Sequence, residues 1–251
     1  MLRPKITACI FDMDGLLLDT ETSYTVAQQQ ICQRFGKDFT WSLKAKMMGR
    51  KAIEAAEIFI QYLNLQGKIT ADEFLKEREE ILDRLFASAP LLPGVDRLIR
   101  HLHACGIPIA VATSSHRRHF ELKTQQHQEL FSLFDCIVTG DQVKVSKPAP
   151  DIFLLALEQL NHYLKAVEVV SPPSDSPSGA LTAGGVPLLP QNTLVFEDAP
   201  TGVDAGLAAG MQVLMVPDIN LETSLRGKAH QEVESLELFI PDEWGLPPYV
   251  G

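Results

Sequence analysis

Hydrophobic and polar positions follow two kinds of pattern along the chain. Short runs rich in apolar and β-branched residues have the length of buried strands. They occupy residues 6–11, 107–113, 136–139, 193–196 and 212–216. The stretches between the later runs repeat apolar residues at helical spacing, as at Phe153, Leu154, Leu157 and Leu160. Strands that alternate with helices predict an α/β fold with a Rossmann-like parallel sheet covered on both faces.

The long interval between the first two runs has a different pattern. From residue 17 to residue 90 the apolar positions follow helical spacing, and no run is typical of a strand. One amphipathic face consists of Ile53, Ala56, Ile60 and Leu63. We therefore expect a helical domain at 17–90, inserted into an α/β core formed by residues 1–16 and 91–251.

A second interruption, residues 171–190, is rich in Ser, Pro, Gly and Ala. Because this composition buries little apolar surface, we predict a flexible insertion within the core. The rest of the chain is typical of a globular protein, with 45% hydrophobic and 22% charged residues overall.

The net charge and the cysteine content narrow the classes of binding partner and the cellular compartments that the sequence fits. A formal net charge of -10 argues against a nucleic-acid partner. It leaves a small phosphorylated metabolite open, because local charge in a cleft can oppose the overall balance. No apolar run approaches the ~18–20 residues that span a bilayer, so we expect no membrane partner. The 4 cysteines form no CxxC pair, which favours a reduced, cytoplasmic protein, and we expect a monomer.

Two carboxylates follow the first predicted strand directly. Asp12 and Asp14 are two residues apart, and Gly15 permits a tight reversal of the chain. Two acids at this spacing can act as nucleophile and proton shuttle at one centre. Taken alone, the pattern fits an acidic turn after a strand equally well.

A second acidic pair, Glu197 and Asp198, follows the strand at 193–196. Asp198 stands before Ala199 and Pro200, so an ordinary helix start would explain one carboxylate. It would not explain two acidic pairs at two strand ends. Together the pairs provide the hard oxygen ligands that Mg²⁺ prefers.

Two further segments suit a phosphate group. Thr113 ends the strand at 107–113 and Ser114 follows it, so that a hydroxyl and neighbouring backbone N–H groups can hold phosphate oxygens. Lys147 precedes a helix predicted to begin near Pro150, a position suited to an anion. A strand-end turn and a surface lysine are the ordinary alternatives.

Charge balance connects these segments. A phosphate dianion beside carboxylates meets repulsion of about 4 kcal/mol per unit pair at ~4 Å and an effective dielectric of ~20. Mg²⁺ and Lys147 would supply three positive charges and offset that repulsion.

The four segments, in this order, resemble the haloacid dehalogenase-like hydrolase superfamily. Its motifs are a hydrophobic strand ending in DxDG, a strand-end Thr or Ser, a Lys, and a strand-end acidic pair. The resemblance implies that Asp12 is the nucleophile and Asp14 the general acid/base. It also implies that Thr113 and the Ser114 amide bind phosphate and that Lys147 neutralises it.

The same resemblance implies a magnesium site and a cap. The metal would be held by Asp12, the carbonyl of Asp14 and Asp198, with Glu197 beside or behind them. The helical insert at 17–90 matches the superfamily's type C1 cap. Within that insert, Arg50 and Lys51 are expected to reach the substrate, although a solvated helix start explains them equally well. Glu21 and the stretch 116–119 are expected near the entrance, although an ordinary surface position explains Glu21 better, and a solvated loop and helix start explains 116–119 better.

Residues 12–21, 48–56 and 195–202 resemble one subgroup of the superfamily, which holds pseudouridine-5'-phosphatase and the plant-type glycerol-3-phosphatases. This implies hydrolysis of pseudouridine 5'-phosphate or glycerol 3-phosphate through an aspartyl-phosphate. Two other functions stay open: a phosphomutase of the same fold acting on a sugar phosphate, and a non-catalytic module that binds a metabolite.

Overall fold

The computed structural model describes residues 4–47, 52–170, 186–226 and 228–249. The chain divides into two compact units. The larger comprises Met1–Leu18 together with Leu91–Gly251, and the smaller is Asp19–Pro90.

The larger unit is built on a parallel sheet of 6 strands in the order β3-β2-β1-β4-β5-β6. The strands are β1 (Ala8–Phe11), β2 (Ile109–Thr113), β3 (Cys136–Thr139), β4 (Thr193–Glu197), β5 (Gln212–Met215) and β6 (Gln231–Glu232). The helices of this unit are α5 (Val95–Ala104), α6 (Arg117–Thr124), α7 (Gln128–Phe131), α8 (Asp151–Val170) and α9 (Pro200–Ala208). The predicted α/β fold is confirmed.

Strand β6 was not predicted from the sequence. It has two polar residues, and only one of its sides pairs, with β5. An edge strand of this kind needs no apolar run, because it is not buried between two neighbours.

The register of the central strands brings their ends together. Phe11 of β1 lies opposite Val111 of β2 and Phe196 of β4. The Phe11 and Phe196 rings stack with centroids 4.4 Å apart. Because the strands are parallel, the residues that follow them emerge at one edge of the sheet. The segments at Asp12, Thr113 and Glu197 therefore share that edge.

Most of the predicted apolar positions are buried against this sheet. Phe153, Leu157 and Leu160 of α8 belong to the core cluster, as the helical spacing predicts. Leu154 was assigned wrongly to that face, since it is 42% exposed. In a 3.6-residue period it lies off the face that Phe153 and Leu157 share, which Ala156 completes instead.

The smaller unit is helical. It contains α1 (Thr20–Arg34), α2 (Trp41–Met47), α3 (Ala52–Tyr62) and α4 (Ala71–Phe86). Thr70 and Glu73 form a capping box that starts α4, and Phe59 packs on Phe74 with ring centroids 4.3 Å apart. Ile53 was predicted on the apolar face, but it is 42% exposed because the buried face of α3 runs through Ala55, Ala56, Phe59 and Ile60.

The predicted insertion at 171–190 is described only from residue 186 onward. Leu188 in that part is 6% exposed, and its N–H donates to Asn161 Oδ1 at 2.8 Å. Among the described residues, no helix combines the length and apolar character needed to cross a membrane.

Candidate active site

Asp12 extends the central strand by one residue and is 6% exposed. Its backbone N–H donates to the carbonyl of Phe196 at 3.0 Å, so pairing with β4 continues up to this carboxylate. The adjacent strands therefore fix the position of Asp12, as they would for any residue within the sheet.

Lys147 joins the segments at Asp12 and Glu197. Its ammonium donates to Asp12 Oδ1 at 2.5 Å, to Glu197 Oε1 at 2.7 Å and to the Ala112 carbonyl at 3.1 Å. Burial alone would lower the pKa of Lys147, but attraction to Asp12 and Glu197 raises it above its ordinary value. Lys147 therefore stays charged.

Glu197 is 1% exposed and fully hydrogen-bonded. Besides accepting from Lys147, it accepts through Oε2 from the N–H groups of Asp198 at 3.1 Å and Ala199 at 3.3 Å. The carboxylate lies directly against Gly202, where an added Cβ would stand 1.8 Å from Oε1. The first turn of helix α9 thus contains a glycine that leaves room for a buried acid.

Asp198 lies against Gly15. A Cβ at Gly15 would meet Asp198 Oδ2 at 2.4 Å, and the φ of +79° is one that glycine adopts without strain. Carboxylate oxygens of Asp12, Glu197 and Asp198 lie within 4.8 Å of one another.

The three carboxylates suit a divalent cation. Their formal charge is -3 and Lys147 balances one unit, so two remain. Burial raises the pKa of Asp12 to about 7, with Lys147 partly opposing the rise and the neighbouring Glu197 and Asp14 carboxylates adding to it. A hard cation among these oxygens would favour the charged form of Asp12. The donor set therefore fits Mg²⁺.

Asp14 belongs to a second hydrogen-bond network. Its Oδ2 accepts from Ser115 Oγ at 2.8 Å and from Thr113 Oγ1 at 3.2 Å. Its Oδ1 accepts from Lys123 Nζ at 2.5 Å, and Lys123 also donates to Ser115 Oγ at 2.8 Å. The side chains of Asp12 and Asp14 are thus held by different lysines.

Sequence reasoning missed Ser115 and Lys123. Ser115 follows the predicted pair Thr113 and Ser114 directly, and Ser114 itself is exposed. Lys123 follows Phe120 by one helical turn, and both side chains are buried. A lysine in register with a buried phenylalanine was the available signal, but such lysines are ordinarily surface residues.

The other predicted positions are Arg50, Lys51, Glu21 and the stretch 116–119. Arg50 and Lys51 lie outside the described residues. Glu21 pairs with Lys44 at 3.0 Å within the helical unit. His116 caps the start of α6 by accepting from the His119 N–H at 3.3 Å, which is the structural role expected of a helix start.

The order and placement of these segments agree with a known family. The family model for haloacid dehalogenase-like hydrolases matches residues 6–210. This chain is a member of that family. The matched range includes every segment of the acidic site, from Asp12 to Asp198.

Named relatives in the family include phosphatases. The (DL)-glycerol-3-phosphatase 2 of Arabidopsis thaliana is 51% identical, and the match covers 98% of this chain and 94% of that protein. A Drosophila melanogaster protein named "Probable pseudouridine-5'-phosphatase" is 40% identical over 98% of this chain and 96% of its own. The predicted subgroup and enzyme class are confirmed at this level.

A solved structure supports the fold. A HAD family hydrolase from Deinococcus radiodurans, with bound phosphate and sodium, superposes with a TM-score of 0.74 at 22% identity. The match covers 98% of this chain and 99% of that one.

Proposed function

We propose that this chain is a Mg²⁺-dependent phosphatase that hydrolyses glycerol 3-phosphate through an aspartyl-phosphate on Asp12. The observation that carries the proposal is the buried Asp12 carboxylate, which pairs with Lys147 at 2.5 Å and has carboxylate oxygens of Glu197 and Asp198 within 4.8 Å. An acidic turn would have no need of a buried ammonium or of two further acids.

In the first half of the reaction, Asp12 attacks phosphorus and the bond to the alcohol oxygen breaks. Asp14, protonated, donates its proton to the leaving alkoxide. In the second half, Asp14 takes a proton from water, the water oxygen attacks phosphorus, and the bond to Asp12 breaks. Inorganic phosphate leaves, and both carboxyl groups return to their starting states.

Mg²⁺ held by Asp12, the Asp14 carbonyl and Asp198 would offset the negative charge of the phosphate and of the acids around it. Lys147 contributes a further positive charge. The Ser114 amide would bind phosphate oxygens together with Thr113, whose hydroxyl would turn its proton from Asp14 to the phosphate. Glu197 keeps Lys147 oriented toward Asp12, since it accepts from the same ammonium at 2.7 Å.

Glycerol 3-phosphate is favoured over pseudouridine 5'-phosphate because the relative named for it is the more similar of the two, 51% against 40% identical. By the family resemblance, the helical unit Asp19–Pro90 is the cap that selects the substrate. Arg50 and Lys51 belong to this unit and remain proposed substrate contacts.

The test is a comparison of kcat/KM with Mg²⁺ for the two glycerol 3-phosphate enantiomers, pseudouridine 5'-phosphate and a set of sugar phosphates. We expect the highest value for glycerol 3-phosphate. A preference for pseudouridine 5'-phosphate would replace the substrate but keep the reaction. Turnover that requires an added sugar bisphosphate would identify a phosphomutase, and no turnover of any phosphomonoester would favour a binding module.

The covalent step has its own test. Rapid acid quench and borohydride reduction during turnover should convert Asp12 to homoserine, detected by mass spectrometry of the peptide. Asp12→Asn should abolish turnover and the homoserine signal. An Asp12→Asn variant that retains wild-type turnover would overturn the covalent mechanism.

A further inference from the structure

Lys123 is a buried cation for which the proposed reaction has no assigned role. Its side chain is 0% exposed, while that of Asp14 is 26% exposed. The stem lies on the buried face of α6 with Phe120 and Thr124. An apolar residue of similar length would fill this space without placing a charge inside the protein.

The ammonium of Lys123 closes a ring of three hydrogen bonds. It donates to Asp14 Oδ1 at 2.5 Å and to Ser115 Oγ at 2.8 Å, and Ser115 donates to Asp14 Oδ2 at 2.8 Å. Thr113 adds a second donor to Oδ2 at 3.2 Å. Both oxygens of Asp14 are therefore held, from two sides, and the plane of the carboxyl group is fixed.

The backbone supports the same ring. Ser115 N–H donates to Thr113 Oγ1 at 3.0 Å, which turns the chain back after β2. Gly140 N–H donates to the Ser115 carbonyl at 2.9 Å, and a Cβ at Gly140 would clash with the Ser114 carbonyl at 2.3 Å. The hydroxyl that links Lys123 to Asp14 is thus set by a tightly packed turn.

We propose that Lys123 is a positioning residue for proton transfer: with Ser115 it fixes the orientation of the Asp14 carboxyl group, and one of these hydrogen bonds gives way when Asp14 carries the proton for the leaving oxygen. The inference rests on the proposed function. Lys123 does not touch the substrate in this role. It acts through Asp14, and a small displacement of a catalytic group lowers the rate steeply, about 10²-fold for ~1 Å.

Leaving groups that differ in their need for a proton provide the test. Glycerol leaves as a poor alkoxide and needs a proton, whereas p-nitrophenolate leaves without one. The constant kcat/KM covers only the steps up to release of this first product. In Lys123→Met we expect kcat/KM for glycerol 3-phosphate to fall about 10²-fold, and that for p-nitrophenyl phosphate by less than about threefold.

Ser115→Ala is the second variant and should show the same selective loss. Since both residues act on one carboxyl group, the double variant should lose little more than Lys123→Met alone. Lys165→Met, an exposed lysine on α8, removes a lysine charge elsewhere and should leave both substrates unchanged. If Lys123→Met does not fold, the selectivity of Ser115→Ala decides the matter.

Equal losses for the two substrates, or no loss, in a folded variant would overturn the positioning role while leaving the phosphatase proposal intact. A wild-type protein that hydrolyses neither ester would overturn both. Additive losses in the double variant would show that Lys123 and Ser115 act independently, which also contradicts the proposal.

Discussion

At the scale of single residues, Lys147 balances two buried carboxylates. The side chains of Lys147, Asp12 and Glu197 are 7%, 8% and 1% exposed. A buried ion pair of this kind stabilises a protein little relative to apolar residues, but removal of one partner leaves uncompensated charge. Lys147 therefore matters both for stability and for the approach of a phosphate.

Lys147→Met should lower the free energy of unfolding by about 3–5 kcal/mol, because Asp12 and Glu197 would stay buried without their cation. We expect kcat/KM to fall about 10²- to 10³-fold. Urea unfolding and steady-state kinetics measure the two effects. Lys144→Met, an exposed lysine in the same loop, is the control and should change neither quantity. An unchanged unfolding midpoint for Lys147→Met would contradict the buried pairing.

Gly202 permits the buried position of Glu197. In Gly202→Ala the new methyl group would overlap Oε1, at 1.8 Å, and displace the carboxylate from Lys147. Although alanine favours helices, we expect a loss of about 1–3 kcal/mol in stability from the overlap, and at least tenfold in kcat/KM. Thr201→Ala, exposed on the same helix, should show neither loss. A Gly202→Ala variant more stable than the wild type would show that Glu197 moves without cost.

At the scale of elements, the parallel strands align the chemistry. Strand β1 ends at Phe11, directly before Asp12, and in β4 Phe196 directly precedes Glu197. The rings of Phe11 and Phe196 stack with centroids 4.4 Å apart. The ring of Phe239 contacts that of Phe196 edge-on, with centroids 5.0 Å apart. Phe239 is not adjacent in sequence to any residue of the site. A comparison of substitutions at Phe11 and Phe239 therefore distinguishes a loss of packing from a loss of catalytic positioning.

Phe11→Leu should lower stability by about 1–3 kcal/mol through the smaller side chain and the lost ring pair. It should also reduce kcat/KM per folded molecule about tenfold, since Asp12 is the next residue of the strand. Phe239→Leu should lower stability to a similar extent without that loss of activity. The measurements are urea unfolding and kinetics corrected for the folded fraction. Equal activity losses in both variants would show that strand packing does not position Asp12.

The strands and helices also show how far the pattern of apolar residues predicts structure. The apolar runs at 107–113 and 193–196 contain the observed strands β2 and most of β4, because strands buried on both faces must be apolar throughout. The two-residue strand β6 has no such run. Helical spacing located α3 and α8, but it placed Ile53 and Leu154 on the wrong side because several apolar residues adjoin each face.

At the scale of the whole molecule, the protein is acidic and also places three carboxylates at the site proposed for a phosphate group. The net charge is -10, and Asp12, Glu197 and Asp198 converge within 4.8 Å. Repulsion among these groups and toward a phosphate is relieved only by positive charge brought close to them.

Removal of divalent cations by a chelator should therefore abolish turnover, and Mg²⁺ should restore it. Independently of activity, Mg²⁺ at about 100 times its Kd should stabilise the folded protein by about 2.7 kcal/mol, seen as a higher Tm. Asp198→Asn should lose most of this Tm shift. A Tm that does not respond to Mg²⁺ in the wild type would contradict a magnesium site at these carboxylates.

The sequence by itself determined the fold class and the segments that meet in the site. Local patterns suffice for both: strands buried on two faces must be apolar, and the residues after parallel strands emerge at one edge of the sheet. Asp12, Thr113 and Asp198 were located in this way, whereas Lys147 was assigned from its place before a helix and from the family resemblance. Their roles in catalysis remain proposals that rest on that placement.

Only the tertiary structure decided which side chains pair. Lys147 contacts Asp12 across 135 positions of sequence, and Lys123 contacts Asp14 across 109. No local pattern distinguishes such lysines from surface ones, because their burial depends on how distant elements pack around the charge. The same holds for Gly202, whose missing side chain matters only because Glu197 occupies that space.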